Sequence, residues 1–121
     1  MEFTKEQLEA LLKKPGPLYL RSADLSGADL GFADLNKANL SRARLRNSIL
    51  SYTNLSHASL NGADLSGADL NHSNLSSADL SGANLSRANL SDADLSGTKY
   101  SMDTEWPDGF DPQATGATLV T

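Results

Sequence analysis

A strict five-residue period is the feature that most constrains how this chain can fold. From Ala23 to Gly97 the sequence consists of fifteen consecutive units of the type Ala-Asp/Asn-Leu-Ser-X, and the third position is leucine in all fifteen. The first position is alanine in twelve units, with Ser48, Thr53 and Ser73 as the exceptions. An unbroken leucine column of this length predicts a repeat fold in which each unit occupies an equivalent environment.

A period of five fits neither of the two common elements. On an α-helix successive leucines would be rotated by a net angle of about 140°, and they would form no apolar face. On a flat strand an odd period would send alternate leucines to opposite faces. If the chain turns a corner in each unit, however, every leucine can point to one axis. We therefore predict a solenoid with leucine and the small alanine inside, and with Asp/Asn, Ser and the fifth residue outside.

The fifth position is the expected corner. Five units place glycine there (Gly27, Gly62, Gly67, Gly82 and Gly97), and glycine adopts positive φ at low cost. The other ten units carry larger residues at this position. The sequence therefore predicts corners of more than one turn type, in coils that stack at about 4.8 Å.

The units over residues 23–97 resemble the pentapeptide-repeat family, which is abundant in cyanobacteria. The segment 98–112, Thr-Lys-Tyr-Ser-Met-Asp-Thr-Glu-Trp-Pro-Asp-Gly-Phe-Asp-Pro, is similar to the closing segment of several cyanobacterial members. The resemblance implies an all-β fold, a right-handed, four-sided (quadrilateral) parallel β-helix with four units per coil. Fifteen units then give just under four coils.

Both ends of such a stack need covers, because the terminal coils expose the core. Residues 3–14 predict a short helix in which Thr4 and Gln7 form a capping box and Phe3 and Leu8 form a hydrophobic staple. This helix is expected to cover the first coil, and the alternative is a helix that binds a partner. The chain is accordingly divided into an N-terminal helical cap (1–22), a pentapeptide-repeat β-helix (23–97) and a C-terminal cap and tail (98–121).

The second cover is predicted from the aromatic residues near the C-terminus. Tyr100 takes the inward third position in place of leucine, and Trp106, Pro107 and Phe110 follow in a turn-rich segment. A lid over the last coil explains these residues better than a ligand site.

Composition excludes several classes of function. The chain has no cysteine and no apolar run near the roughly 18 residues that cross a bilayer, and its N-terminus does not resemble a signal peptide. A cytoplasmic location is therefore expected. His57 and His72 lie fifteen residues apart and have no metal-ligand partner at helical spacing. We expect no catalytic residues, no metal site, no cofactor and no enzymatic activity.

Outward positions can be stacked at the twenty-residue interval that four-unit coils imply. Asp24, Arg44 and Asp64 then form an alternating charge ladder. Phe32, Tyr52 and His72 form a second column, which has Ile49 on the same side. The candidate partner-contact site consists of this column with its flanking residues: Phe32, Ile49, Tyr52, His72, Arg44 and Arg46. The alternative is that the stacked aromatic side chains merely stabilise neighbouring coils.

These features favour a non-catalytic structural or protein-interaction scaffold, a monomer or weak dimer whose partner is another protein. The alternative is a DNA-mimicking inhibitor of a DNA-binding enzyme such as gyrase, because some members of the resembled family act in this way. Residues 23–97 carry a net charge of −3, whereas duplex DNA of the same length, about 19 Å, carries about 11 negative charges. Binding of nucleic acid or membrane is not expected, and the absence of an outward threonine column argues against ice binding.

Overall fold

Parallel pairing at an interval of twenty residues organises the chain. The computed structural model describes residues 1–120, in which helix α1 spans Lys5–Leu12 and a 3-10 helix, η1, spans Pro112–Thr115. Strands β1 (Lys99–Tyr100) and β2 (Thr118–Leu119) pair in parallel. Between α1 and β1, single residues pair in parallel with the residue twenty positions further on, from Tyr19–Asn39 to Asp79–Lys99. One coil therefore contains twenty residues, or four units.

The paired residues are the second residues of the units, and they form four ladders. In chain order the ladders are ladder 1 (Tyr19, Asn39, Ser59, Asp79, Lys99), ladder 2 (Asp24, Arg44, Asp64, Asn84, Glu105), ladder 3 (Asp29, Ile49, Asp69, Asn89) and ladder 4 (Asp34, Asn54, Asn74, Asp94). The expected stacking of Asp24, Arg44 and Asp64 is confirmed. The pattern also begins one unit before residue 23, because Tyr19 already pairs with Asn39.

Every unit makes the same corner, so the prediction of more than one turn type was wrong. The fifth residues from Ser22 to Gly97 all have φ between 57° and 71°, whether or not they are glycine. In each unit the N–H of the next first-position residue donates to the leucine carbonyl, as Ala28 does to Leu25 at 3.0 Å. A bond from residue i+3 to residue i with positive φ at i+2 describes a type II turn. The fifth-position N–H also bonds to the next coil, as Tyr52 does to Asn71 at 3.1 Å, so stacking imposes one geometry on all side chains.

The leucine column is the core. The twelve leucines from Leu25 to Leu80 are fully buried, and most first-position alanines are buried beside them. Two of the three polar residues at the first position bond to a backbone carbonyl, whereas the buried Ser73 Oγ has no partner among the described residues. Thr53 Oγ1 donates to the carbonyl of Leu30, and Ser48 Oγ donates to that of Leu45, both at 2.7 Å. The inward assignment of leucine and alanine is confirmed.

The second-position Asp or Asn closes a local side-chain turn. In all twelve units that carry Asp or Asn there, its Oδ1 accepts the N–H of the fourth residue, at 2.9–3.1 Å. Short polar side chains favour such turns because they bond to the backbone two residues on. The fourth-position serine is drawn inward by this network, and Ser41, Ser56 and Ser66 are buried. The expectation that these serines face outward was therefore wrong at three units.

The N-terminal segment lies against the first coil. The predicted capping box is present, with reciprocal bonds of 2.9 and 3.1 Å between Thr4 and Gln7. Helix α1 is shorter than the predicted 3–14 because Lys13 is its C-cap. Leu8 is buried with the core leucines. The N–H of Glu2 donates to the carbonyl of Asp24 at 2.9 Å, so the first edge of ladder 2 is paired.

The C-terminal segment lies over the last coil. Glu105 pairs with Asn84 across twenty-one residues, and Thr118 pairs with Lys99 across nineteen. Tyr100 is buried, as predicted, and its ring meets Trp106 edge-on at 5.4 Å. Trp106 stacks on Phe110 at 5.2 Å, and both rings pack against the core. Aromatic rings thus lie at the C-terminal end of the leucine column.

Candidate functional site: the aromatic column

Three aromatic side chains stack on the outer surface between ladder 3 and ladder 4. The rings of Phe32 and Tyr52 are parallel within 1°, with centroids 5.0 Å apart, and Tyr52 stacks on His72 at 4.7 Å and 3°. Phe32 is 78% exposed and Tyr52 is 51% exposed. We call Phe32, Tyr52 and His72 the aromatic column. Their predicted stacking at twenty-residue spacing is confirmed.

The column continues into an acidic residue that sequence reasoning missed. His72 Nε2 lies 3.4 Å from Asp92 Oδ2. The other ring nitrogen, Nδ1, lies 2.9 Å from Asn71 Oδ1. Asn71 donates through Nδ2 to Asp69, which fixes its Oδ1 towards the imidazole. Extending the interval of twenty residues beyond His72 would have found Asp92.

Backbone conformation makes this column costly. Phe32, Tyr52 and His72 have φ of 63°, 57° and 57°. The left-handed region costs a non-glycine residue about 1–2 kcal/mol, so the three residues cost roughly 3–6 kcal/mol. An aromatic pair contributes about 0.5–1.5 kcal/mol, so two stacked pairs contribute roughly 1–3 kcal/mol. The stacked pairs therefore offset part of this strain, which the column shares with the other non-glycine corners of the repeat.

The other predicted contact residues lie in different places. Ile49 is on ladder 3, three residues before Tyr52, and is 42% exposed. Arg44 belongs to ladder 2 and its Nη2 lies 3.7 Å from Asp24 Oδ2. Arg46 Nη2 lies 3.3 Å from Asp64 Oδ2. The structure thus places Ile49 beside the column and pairs both arginines with the carboxylates of ladder 2.

Charge is segregated around the stack. Residues 28–36, 48–56, 68–76 and 88–96, which carry ladders 3 and 4 and the aromatic column, contain five aspartates and neither lysine nor arginine. These aspartates are Asp29, Asp34, Asp69, Asp92 and Asp94. The remaining stretches, 18–27, 37–47, 57–67 and 77–87, contain six basic and three acidic residues, a net charge of +3. We call the first set the acidic side and the second the basic side. The overall charge conceals this difference.

Hydrogen bonds help to lower the pKa of three aspartate carboxyl groups. The pKa of Asp94 is lowered by the hydroxyl and then the amide of Ser96. At Asp24 the amide and hydroxyl of Ser26 lower the pKa, and the N-terminus and Arg44 add to the effect. Burial raises the pKa of Asp64, but bonds from Ser66 and the charge of Arg46 outweigh it and the pKa is lowered.

Three further exposed apolar side chains were not predicted, of which Met1, at the N-terminus, is 49% exposed. Tyr19, on ladder 1, is 84% exposed, and Met102, in the loop after β1, is 82% exposed. Tyr19 precedes the strict leucine repeat in the sequence. It lies in residues 18–22, which form an additional unit because Tyr19 pairs with Asn39. Neither Tyr19 nor Met102 stacks on the aromatic column, so Tyr19 is a suitable control for nonspecific binding.

The structure brings together few groups that carry chemistry. His57 has φ of 60° at the corner after ladder 4, in a different column from His72. Within residues 1–120, no group of three or more His, Asp or Glu side chains is placed to hold a metal ion. Across the same residues no helix is long and apolar enough to cross a membrane.

Clefts of about 320 and 350 Å³ lie at the two ends of the stack, beside Pro15–Pro17 and Pro107–Phe110.

Comparison with known proteins finds a matching family model and similar solved structures. A family model described as pentapeptide repeats matches residues 23–62, 38–76 and 63–99. A pentapeptide-repeat protein of Nostoc PCC 7120, alr5209, is 34% identical, with 97% of this chain and 96% of that chain covered and a TM-score of 0.74. None of the curated proteins compared with the chain matches it.

Two further solved structures are similar over shorter stretches. A pentapeptide-repeat protein from the thylakoid lumen of Arabidopsis thaliana is 33% identical, covers 76% of this chain and 61% of that chain, and gives a TM-score of 0.55. QnrB1, a plasmid-mediated fluoroquinolone resistance protein, is 21% identical, with coverage of 81% and 60% and a TM-score of 0.43.

Proposed function

Because the chain belongs to the pentapeptide-repeat family and has the right-handed β-helix of that family, we propose that it is a non-catalytic protein-interaction scaffold whose contact surface is the aromatic column with Ile49. The observation that carries this proposal is the exposed stack of rings, in which Phe32 is 78% and Tyr52 is 51% exposed with centroids 5.0 Å apart. Phe32, Tyr52 and His72 occupy positive φ as every corner of the repeat does, so the fold itself does not require aromatic side chains at these positions.

The surface also has the composition of a contact site. Aromatic side chains supply large contact areas and are enriched where proteins bind one another. Exposed apolar clusters on small proteins often mark interaction sites. Phe32, Tyr52 and Ile49 supply such a cluster, and the neighbouring Asp29 and Asp69 supply a polar rim. Arg44 and Arg46 lie on the basic side and would join the contact if the partner extends past ladder 2.

The test compares how well correctly folded variants of the chain capture partner proteins. Phe32→Ser with Tyr52→Ser should lose the partners that the wild-type chain captures from its native host. Tyr19→Ser removes an exposed ring outside the column and should retain them. Unchanged capture by the double variant would exclude this surface, and loss in the Tyr19 variant as well would indicate nonspecific adhesion.

A second candidate function, mimicry of DNA, is favoured by the segregation of charge. The acidic side carries five negative charges without a lysine or arginine, which is more than the net charge of the repeat indicates. Duplex DNA of about 19 Å carries about 11 charges, so the acidic side supplies less than half. A supercoiling assay with gyrase tests this function: inhibition by the wild-type chain would support mimicry over scaffolding.

We also propose the finer architecture and location. Four ladders per twenty residues support a four-sided cross-section. The burial of Leu8 supports a helical cap over 1–22, followed by the β-helix over 23–97 and a C-terminal cap and tail over 98–121. A crystal structure in which α1 leaves the first coil would contradict the cap. We propose a cytoplasmic location and a monomer or weak dimer, which fractionation of the host and light scattering would test.

A further inference from the structure

The C-terminal segment covers the last coil unevenly. On ladder 2 the N–H of Glu105 donates to Ala83 at 2.9 Å and its carbonyl accepts from Leu85 at 2.7 Å. On ladder 1 Thr118 donates to Thr98 at 2.7 Å. On ladder 3 residues 107–110 form a corner like those of the repeat, with the Phe110 N–H bonded to Pro107 at 3.0 Å and φ of 77° at Gly109, but they make no backbone bond to residues 88–92.

The last rung of ladder 3 is therefore without backbone pairing, and within residues 1–120 the N–H of Leu95 on ladder 4 likewise has no backbone partner. In the coil below, the N–H of Leu70 donates to Asn89 and that of His72 donates to Ser91, at 2.8 and 2.9 Å. Within residues 1–120 the equivalent N–H groups of Leu90 and Asp92 have no backbone partner, and neither does the carbonyl of Ala88. The spacing of these groups is that of a parallel strand with a free edge.

An open cleft lies directly against this edge. Its volume is about 350 Å³, and its two walls are residues 88–91 and 107–110. Leu90 is 8% exposed and Ala88 is 7% exposed, whereas their counterparts below, Leu70 and Ala68, are 0% and 1% exposed. Both side chains remain buried but are slightly more exposed than their counterparts, and an added strand would complete the backbone pairing of this edge.

We propose that this edge, Ala88–Asp92, binds an extended basic segment of a partner protein by adding it as a parallel strand. One residue of the segment would donate to the Ala88 carbonyl and accept from Leu90, and the residue two further on would accept from Asp92. Added strands gain their affinity from such main-chain bonds. The proposal uses Asp92, whose Oδ2 lies 3.4 Å from His72 Nε2, but not the rings of Phe32 and Tyr52.

The acidic residues around this edge favour a basic segment as the added strand. Asp92 and Asp94 lie at one end of the edge, and Asp108 lines the opposite wall, whereas Arg87 is the basic residue beside them. A segment with lysines flanking an Ala-X-Leu core would complement the carboxylates and place alanine and leucine over Ala88 and Leu90. A second copy of this chain would bring its own acidic edge and is disfavoured.

The experiment is amide hydrogen exchange followed by NMR on the full chain. In the free protein, Leu90 and Asp92 should exchange at least about tenfold faster than Leu70 and His72, which are paired. The acetylated and amidated peptide Lys-Ala-Lys-Leu-Ser-Lys should then protect Leu90 and Asp92 and leave Leu70 and His72 unchanged. Equally slow exchange at all four amides in the free protein would overturn the proposal.

Matched probes separate strand addition from simple charge attraction. The same peptide N-methylated at its central lysine cannot donate to Ala88 and should lose binding. Asp92→Asn with Asp108→Asn should weaken binding of the unmodified peptide several-fold, and Asp24→Asn, which is distant, should not. Equal binding of the methylated peptide would overturn strand addition. Absence of any binding, or concentration-dependent self-association at this edge instead, would overturn the proposed occupant.

Discussion

Two columns of corner residues in the stack have the same backbone conformation but different side chains. The column before ladder 3 contains Gly27, Asn47, Gly67 and Arg87, with φ between 58° and 71°. The aromatic column, after ladder 3, has φ of 57° to 63°. Glycine relieves the strain at two positions of the first column and at no position of the second. The fold therefore requires the turn, and it does not require aromatic rings at it.

Both corner columns depend on the buried leucine core, which Leu60→Asp should disrupt. Leu60 is fully buried in the column of leucines. An unpaired carboxylate there should cost at least about 4 kcal/mol of unfolding free energy, so both corner columns should be lost together. Urea denaturation measures the effect. Leu60→Met, which conserves volume, should cost less than about 1.5 kcal/mol. An aspartate variant as stable as wild type would contradict the inward assignment.

Gly27→Ala measures the strain of a corner directly. A Cβ at Gly27 would have no neighbour within 4 Å, so the substitution tests conformation rather than packing. With φ at 71°, alanine should lower the unfolding free energy by about 1–2 kcal/mol. Pro15→Ala, in the connection after α1, provides a comparison outside the repeat. A stabilised Gly27→Ala would show that these corners are not strained.

Tyr52 provides the reciprocal test in the aromatic column. Tyr52→Ala keeps the strain and removes both stacked pairs, so it should cost about 1–3 kcal/mol. Tyr52→Gly removes the strain as well and should be more stable than Tyr52→Ala by about 1 kcal/mol. Thermal and urea unfolding of the two variants gives the difference. A glycine variant less stable than the alanine variant would mean that Tyr52 is not held against its preference.

The smallest effect is expected from pH at Asp94. Its pKa is lowered below 3.8 in the folded chain, so ionised Asp94 contributes stability above that pH and loses it as pH falls through the lowered value. Asp94→Asn keeps an acceptor for Ser96 and removes this titration. The melting temperature of the variant should be slightly below that of wild type at about pH 7, and the gap should close by about pH 2. A gap that widens with acid would contradict the sign.

The sequence predicted what depends on local pattern and spacing. The leucine column, the capping box at Thr4 and Gln7, and the stacking of Phe32 on Tyr52 all follow from identities at fixed intervals. The uniform corners could not be predicted, because local preference disfavours Tyr52 at positive φ. Stacking overrides that preference, since the Tyr52 N–H is bonded to the next coil. The open edge at Leu90 depends on the path of residues 107–110, which no repeat specifies.

The most direct test of the central claim is the unfolding free energy of Phe32→Gly, Tyr52→Gly and His72→Gly combined, measured in urea beside partner capture. The three glycines should relieve roughly 3–6 kcal/mol of strain and lose roughly 1–3 kcal/mol of stacking, so the triple variant should be at least as stable as wild type and should lose its partners. A loss of more than about 3 kcal/mol, or full retention of partners, would show that the rings serve the stack itself.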